Sequence, residues 1–225
     1  TLRALSDDGR TVFFGEGNRA GEHGYQIFIR GTDGSAPVRL GSGLGMALSP
    51  DGRWALSLRD PFEEALPTLL PTGAGEPRPL PLPEGFRSLP GAAWVPGREA
   101  LLFAATENDG PPRLYYREIE GGPPRAVTPG GILFNYEVAT LSPDGRWVAT
   151  ATEEAGPRVF SIADDESRSI PGAGPEDIPI QWTPDGRKLY VSRRGPIPTP
   201  IDLLDLETVD VPAALRDSTD TYLGS

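Results

Sequence analysis

The sequence predicts an all-β fold made of successive four-stranded antiparallel units, and three observations predict it. First, one ten-residue phrase recurs: "LSDDGRTVFF" from Leu5, "LSPDGRWALS" from Leu48, "LSPDGRWVAT" from Leu141 and "WTPDGRKLYV" from Trp182, with a degenerate copy, "WVPGREALLF", from Trp94. Second, the glycines of the five copies (Gly9, Gly52, Gly97, Gly145 and Gly186) follow one another at intervals of 43, 45, 48 and 41 residues. A period of about 40–45 residues is that of one four-stranded propeller blade. Third, the apolar residues come in short runs, and no segment keeps an i, i+3, i+4, i+7 stripe. The fold class is therefore a β-propeller of five blades, or a six-bladed ring whose last blade is incomplete.

The recurring phrase is a hairpin turn. Pro50, Pro143 and Pro184 preset φ near −65° for the first central position of a type I turn. Asp51, Asp144 and Asp185 suit the next position and can bond back to the local backbone, and the following glycine can take the left-handed conformation that rejoins the strand through a bulge. The Ser or Thr before the proline can add a side-chain bond.

The strands follow in order. Blade one reads "LRALS", "TVFFGE", "YQIFIR" and "PVRLG"; blade two "GMALS", "WALSL", "LPTLLP" and "PRPLP"; blade three "GAAWV", "ALLFAAT", "RLYYREI" and "PRAVT". Blade four reads "YEVATLS", "WVATAT", "RVFSIA" and "SRSIP"; blade five "IPIQWT", "KLYVSR", "IDLLDL" and "VDVPA". Below, the four strands of a blade are A to D. The blades span about 1–43, 44–88, 89–134, 135–175 and 176–213 of a single domain, 1–225, with 214–225 as a C-terminal extension or closure segment. Proline beside or within strand D fits an edge strand, where a missing N–H costs no ladder bond. Arg39, Arg78 and Arg125 hold equivalent places before or within it.

Composition narrows the function. Gly 28 and Pro 26 suit many short strands and turns, and 37% hydrophobic with 24% charged residues is a globular composition. A net charge of −11 argues against a nucleic-acid partner. With Cys 0, disulfides and thiolate metal sites are excluded. No apolar run approaches the roughly 20 residues of a membrane span, so no direct membrane insertion is expected. No signal-peptide pattern opens the chain, which starts in mid-repeat and reads as a mature or excised domain.

The "(L/W)-(S/T)-P-D-G-R" phrase followed by a hydrophobic strand resembles the TolB-like, WD-related propeller repeats of bacteria. More narrowly, "DGRTVFFGEG" and "YQIFIRGTDGSAPVRLGSGLGMALSPDGRWALS" resemble propellers appended to bacterial serine/threonine kinases and sensor proteins. The resemblance runs over about residues 1–206. It implies a recognition or sensor module of a larger envelope or signalling protein, periplasmic or otherwise extracytoplasmic; a cytoplasmic scaffold stays open. Such propellers usually carry six blades, and the WD dipeptide is missing here.

Catalytic chemistry finds little footing. The single histidine, His23, has no G-x-S-x-G elbow to serve and reads as a loop residue. The acids of Asp164–Ser167 lack the alternating spacing of a calcium loop, and "GSGLG" is no phosphate cradle. Trp54, Trp94, Trp147 and Trp182 recur at equivalent places and read as core. No catalytic residue, cofactor or metal site is expected. The alternatives from other classes are the substrate-gating propeller of a prolyl-oligopeptidase-like hydrolase and a lyase-type propeller with acids or a metal in its channel. The latter would put acidic or His residues on the innermost strands, which instead read mostly apolar and small.

Charge then marks a surface. The B–C connections carry Glu16, Glu22, Asp60, Glu63, Glu64, Glu107, Asp109, Glu153 and Glu154 against mainly Arg19, Arg193 and Arg194. On the opposite rim each A–B turn sets an Asp beside an Arg. The B–C/D–A rim is thus expected to dock a protein or peptide partner of basic character through Glu63, Glu64, Glu107, Asp109, Glu153 and Glu154. The alternative is that these acids only keep the surface soluble.

Overall fold

A computed structural model describes residues 2–6, 8–17, 25–58, 67–133, 139–152, 156–193 and 199–206. The first sheet holds β1 (Leu2–Leu5), β2 (Thr11–Gly17), β3 (Tyr25–Gly31) and β4 (Val38–Ser42). The second holds β5 (Leu44–Leu48), β6 (Trp54–Leu58), β7 (Pro67–Pro71) and β8 (Arg78–Pro79). The third holds β9 (Phe86–Trp94), β10 (Ala100–Glu107), β11 (Arg113–Glu118) and β12 (Gly121–Ala126). The fourth holds β13 (Ala139–Leu141), β14 (Trp147–Thr152), β15 (Gly156–Ser161) and β16 (Ser167–Ser169), and the fifth β17 (Asp177–Trp182), β18 (Lys188–Arg193) and β19 (Ile201–Asp205). Every sheet is an antiparallel meander in chain order, so the expected all-β fold of repeated blades is what the chain forms.

The recurring phrase makes the turn its residues dictate. At the second sheet the Ser49 carbonyl accepts the Gly52 N–H at 2.8 Å. Ser49 Oγ donates to Asp51 Oδ1 at 2.6 Å and accepts the Trp54 N–H at 2.9 Å. Asp51 Oδ1 also accepts the Arg53 N–H at 3.0 Å, and Gly52 sits at φ 67°. Ser6 with Asp8, Ser142 with Asp144 and Thr183 with Asp185 repeat this set. The degenerate copy has Val95 in place of the hydroxyl residue and no aspartate before Gly97, and its turn keeps backbone bonds, Val95 N–H to the Ala100 carbonyl at 2.9 Å and Arg98 N–H to the Val95 carbonyl at 3.1 Å.

Strand B explains how the blades pack. Two successive residues after each turn, on opposite faces of the strand, are Val12–Phe13, Ala55–Leu56, Leu101–Leu102, Val148–Ala149 and Leu189–Tyr190. At the four junctions between successive sheets, the second residue of one pair faces the first residue of the next. Phe13 and Ile27 meet Ala55 and Leu70; Leu56 and Leu69 meet Trp94 and Leu101. Leu102 and Leu114 meet Val148 and Phe160; Ala149 and Val159 meet Trp182 and Leu189. The core is therefore four inter-sheet layers, and burying each large side chain contributes about 1.5–3 kcal/mol. Among the described residues no such layer joins the fifth sheet to the first.

The outer strands add a second, polar link. Arg78 donates to the Ile119 carbonyl at 3.1 Å and pairs with Glu120 at 3.1 Å. Arg125, one repeat later, donates to the Ile162 carbonyl and lies over the Tyr116 ring at 5.5 Å. Each reaches the end of strand C in the next sheet. Arg39 instead turns back to Gln26 in its own sheet.

Differences from the sequence expectation sit at element ends. Strand β9 starts at Phe86, well before "GAAWV", and its register slips where Pro90 and Gly91 interrupt the ladder. Strand β17 starts at Asp177, which is buried and accepts from Gly174 N–H at 2.7 Å and Arg193 Nε at 3.2 Å. In β12, Pro123 and Pro124 occupy the expected edge, and the register slips opposite them. The "VDVPA" segment lies outside the described residues.

Candidate recognition surface

Two of the six expected rim acids, Glu107 and Asp109, are described, and both stand exposed on the turn between β10 and β11. The Glu107 carbonyl accepts the Gly110 N–H at 2.9 Å, with Asn108 at φ 48° and Asp109 at φ 55° between them. Positive φ at both central positions is a type I′ turn, and Asn and Asp are the non-glycine residues that tolerate it best. The Asn108 N–H donates to the Gly85 carbonyl at 2.8 Å, tying the turn to the entry of β9. Tyr115 Oη lies 3.5 Å from Glu107 Oε2. Burial, together with the Glu107 charge, pushes the phenol above its ordinary value, so it stays neutral and donates. Among the described residues neither acid forms an ion pair. Glu63, Glu64, Glu153 and Glu154, like His23, lie outside the described residues.

The rim is not acidic throughout. Beside this turn a groove of about 510 Å³ opens between the third and fourth sheets, lined by Arg113, Thr128, Gly130, Thr152, Arg158 and Asp165 among others. Arg158 donates to Ser167 Oγ at 3.2 Å. Neither arginine has a carboxylate within ion-pair distance among the described residues. The sequence expectation missed this element because both arginines were counted as strand positions. Only the packing of one blade on the next brings them together.

The opposite rim is chemically occupied. Hydrogen bonds from Ser6 and the Arg10 N–H hold Asp8 below the usual carboxylate range, and the corresponding bonds act on Asp51 and Asp185. At Asp144 burial pulls the other way, but the Ser142 hydroxyl and Arg146 N–H prevail. The expected Asp–Arg pairing is made mostly through the arginine's backbone; among the described residues only Arg53 reaches its aspartate with the side chain, at 3.8 Å. Where the innermost strands of the first three sheets meet, a depression of about 280 Å³ is lined by Ala4, Ala47, Ala93, Ser6, Ser49 and Trp94 among others, none of them ionisable. The four tryptophans pack in the inter-sheet layers, and Trp182 Nε1 donates to the Thr140 carbonyl at 2.9 Å. Among the described residues no group of three or more His, Cys, Asp or Glu could hold a metal ion.

No family model and no curated protein matches this sequence. Solved structures do. TolB from Acinetobacter baumannii superposes with a TM-score of 0.67 at 19% identity, over 90% of this chain and 52% of that one. An oligogalacturonate lyase from Vibrio parahaemolyticus gives 0.67 at 15% identity, over 90% and 61%. The fold is a TolB-like β-propeller. The chain spans about half the length of the Acinetobacter protein. At these identities the likeness is one of architecture, and a propeller architecture hosts many functions.

Proposed function

We propose that this propeller is a non-catalytic recognition module that docks a basic protein or peptide segment on its B–C/D–A rim, within a larger bacterial envelope or signalling protein outside the cytoplasm. The observation that carries this reading is the contrast between the rims. The turn aspartates are consumed by backbone and hydroxyl bonds, whereas Glu107 and Asp109 are presented on a hydrogen-bonded turn with no ion-pair partner among the described residues. Rigid presentation lowers the ordering cost of binding. The non-catalytic part is supported by the carboxylates: among the described residues, each aspartate with a displaced pKa is displaced downward, the opposite of what a general acid needs near neutral pH. The extracytoplasmic location rests on the TolB resemblance.

An array of basic and acidic decapeptides, probed with the full chain at low and high salt, tests the reading. Binding to Lys/Arg-rich peptides is expected, lost at high salt and weakened by about tenfold in a Glu107→Lys/Asp109→Lys variant, roughly 1.4 kcal/mol. Reversal of Glu63, Glu64, Glu153 and Glu154 should weaken it further. Salt-insensitive binding, or binding unchanged in both variants, would refute it.

A further inference from the structure

The layer that joins the third sheet to the fourth opens, beside the β10–β11 turn, into the groove described above. Leu114 of β11 and Phe160 of β15 are buried in that layer. Arg113 and Arg158, on the same two strands, reach the groove and are half-buried. The wall behind Arg113 is fixed by the backbone. The Gly131 N–H donates to the Pro112 carbonyl at 3.0 Å, and a Cβ at Gly130 would fall 2.4 Å from Pro111 Cγ and 3.6 Å from Arg113 Nε. Other arginines near the junctions are satisfied by the protein: Arg78, Arg117 and Arg125 each donate to a backbone carbonyl. Among the described residues Arg113 donates to no group, and Arg158 only to Ser167 Oγ. Thr128 lines the same groove and is 4% exposed. Its Oγ1 accepts the Leu114 N–H at 3.0 Å, and its own proton has no acceptor among the described residues. Buried polar hydrogens ordinarily have one.

The groove thus gathers donors that lack acceptors. A guanidinium fork matches the paired oxygens of a carboxylate or phosphate, and a hydroxyl can add a further bond. The floor is apolar, made by Val127 and Phe160 of the inter-sheet layer. Asp165, the one carboxylate among the described lining residues, is exposed to solvent, where its repulsion is screened. A volume of about 510 Å³ lies within the roughly 300–1,000 Å³ of small-molecule sites. We propose that this groove binds a small organic oxyanion. Arg113, Arg158 and Thr128 hold its carboxylate or phosphate group, and its carbon skeleton lies on Val127 and Phe160. The site uses neither Glu107 nor Asp109, so it stands apart from peptide docking.

Calorimetric titration of the full chain at low ionic strength tests this, with phenyl phosphate and benzoate as probes. Inorganic phosphate lacks the ring and benzyl alcohol the charge. At least one of the two aromatic anions should bind, and the tighter one fixes phosphate or carboxylate as the recognised group. Inorganic phosphate should bind at least about tenfold more weakly, and benzyl alcohol not at all. Arg113→Gln and Arg158→Gln should each weaken binding about tenfold, the scale of a lost charge-assisted hydrogen bond. Arg187→Gln removes the same charge from an A–B turn on the opposite rim and should change affinity less than about twofold. Should a glutamine variant fold poorly, Arg113→Lys keeps the stem and the charge; without the fork it should still bind more weakly than the parent. Four results would overturn the proposal. The first is no binding of either aromatic anion, and the second is inorganic phosphate binding as tightly as phenyl phosphate, which would leave the apolar floor no role. The third is affinity unchanged in the Arg113 and Arg158 variants. The last is an equal loss in Arg187→Gln, which would mean general attraction of anions to the chain's arginines.

Discussion

Gly52 and Gly145 occupy the same place in the same turn, at φ 67° and 66°, yet alanine should cost very different amounts at the two. The left-handed conformation costs an alanine about 1–2 kcal/mol. The stiffer unfolded chain returns about 0.4–1 kcal/mol of that, and both effects are common to the pair. The difference lies in the surroundings. A Cβ at Gly52 meets nothing within 4 Å, whereas a Cβ at Gly145 falls 2.4 Å from the Pro96 carbonyl oxygen and 3.3 Å from its carbon. That oxygen belongs to the corresponding turn of the preceding blade, so relief requires one backbone turn to move against another. Overpacking of this kind costs about 1–3 kcal/mol. Each kcal/mol moves Tm by about 2–4 °C in a protein of this size, so Gly145→Ala should melt about 6 °C below Gly52→Ala. Differential scanning calorimetry on the two variants measures this directly, with Gly9→Ala as a further open-space control. Melting temperatures within about a degree of each other would refute the claim that adjacent turns are in contact across the third junction.

Other expectations follow from the same geometry. Ser142→Ala removes the acceptor for the Trp147 N–H and the donor to Asp144 at a buried position, and should cost about 1–3 kcal/mol in urea titrations. Gly45→Ala places a methyl 2.7 Å from Phe13 Cζ and should destabilise the first junction by about 1–3 kcal/mol; co-substitution of Phe13→Leu should recover part of the loss. Because Asp8, Asp51, Asp144 and Asp185 are held below their ordinary range when folded, the unfolded chain binds more protons near pH 3–4. Their stabilisation is therefore complete above the unfolded carboxylate range and lost as the pH falls through the folded values. The urea midpoint should drop below about pH 4, less steeply in Asp51→Asn.

The fold was legible because its repeat is written in residues with fixed local meaning. Pro50, Asp51 and Gly52 admit one turn, and the hydroxyl of Ser49 completes it within five residues. The strand ends were less legible: β9 reaches back to Phe86 because a slip at Pro90–Gly91 lets an interrupted ladder continue, and no local signal announces a slip. The rim was half legible. Glu107 and Asp109 stand where the connection between strands puts them. Arg113 and Arg158 are 45 positions apart in the sequence and come to line one groove only through inter-sheet packing, which a period in one dimension does not reveal.

The two rims differ in what they are free to carry, and the reason is chemical. In the first, second, fourth and fifth sheets the A–B turn is four residues whose carboxylate, hydroxyl and glycine are all engaged, so changing any one of them disturbs strands A and B together. The B–C connections contain no such repeated set: between β2 and β3 the chain reads "NRAGEHG", between β6 and β7 "RDPFEEAL", and between β10 and β11 "NDGPP". In the one case where the geometry is described, the turn is held by backbone bonds at Gly110 and Asn108. Its carboxylates contribute nothing to that hold beyond the distant Tyr115 hydroxyl. Charge on this turn can therefore vary without cost to its blade, whereas the aspartates of the A–B turns cannot be changed without losing bonds that hold strands A and B. A propeller that recognises partners by charge would be expected to do so on the B–C side, and a Glu107→Gln/Asp109→Asn variant that melts within about a degree of the parent while losing peptide binding would separate recognition from stability.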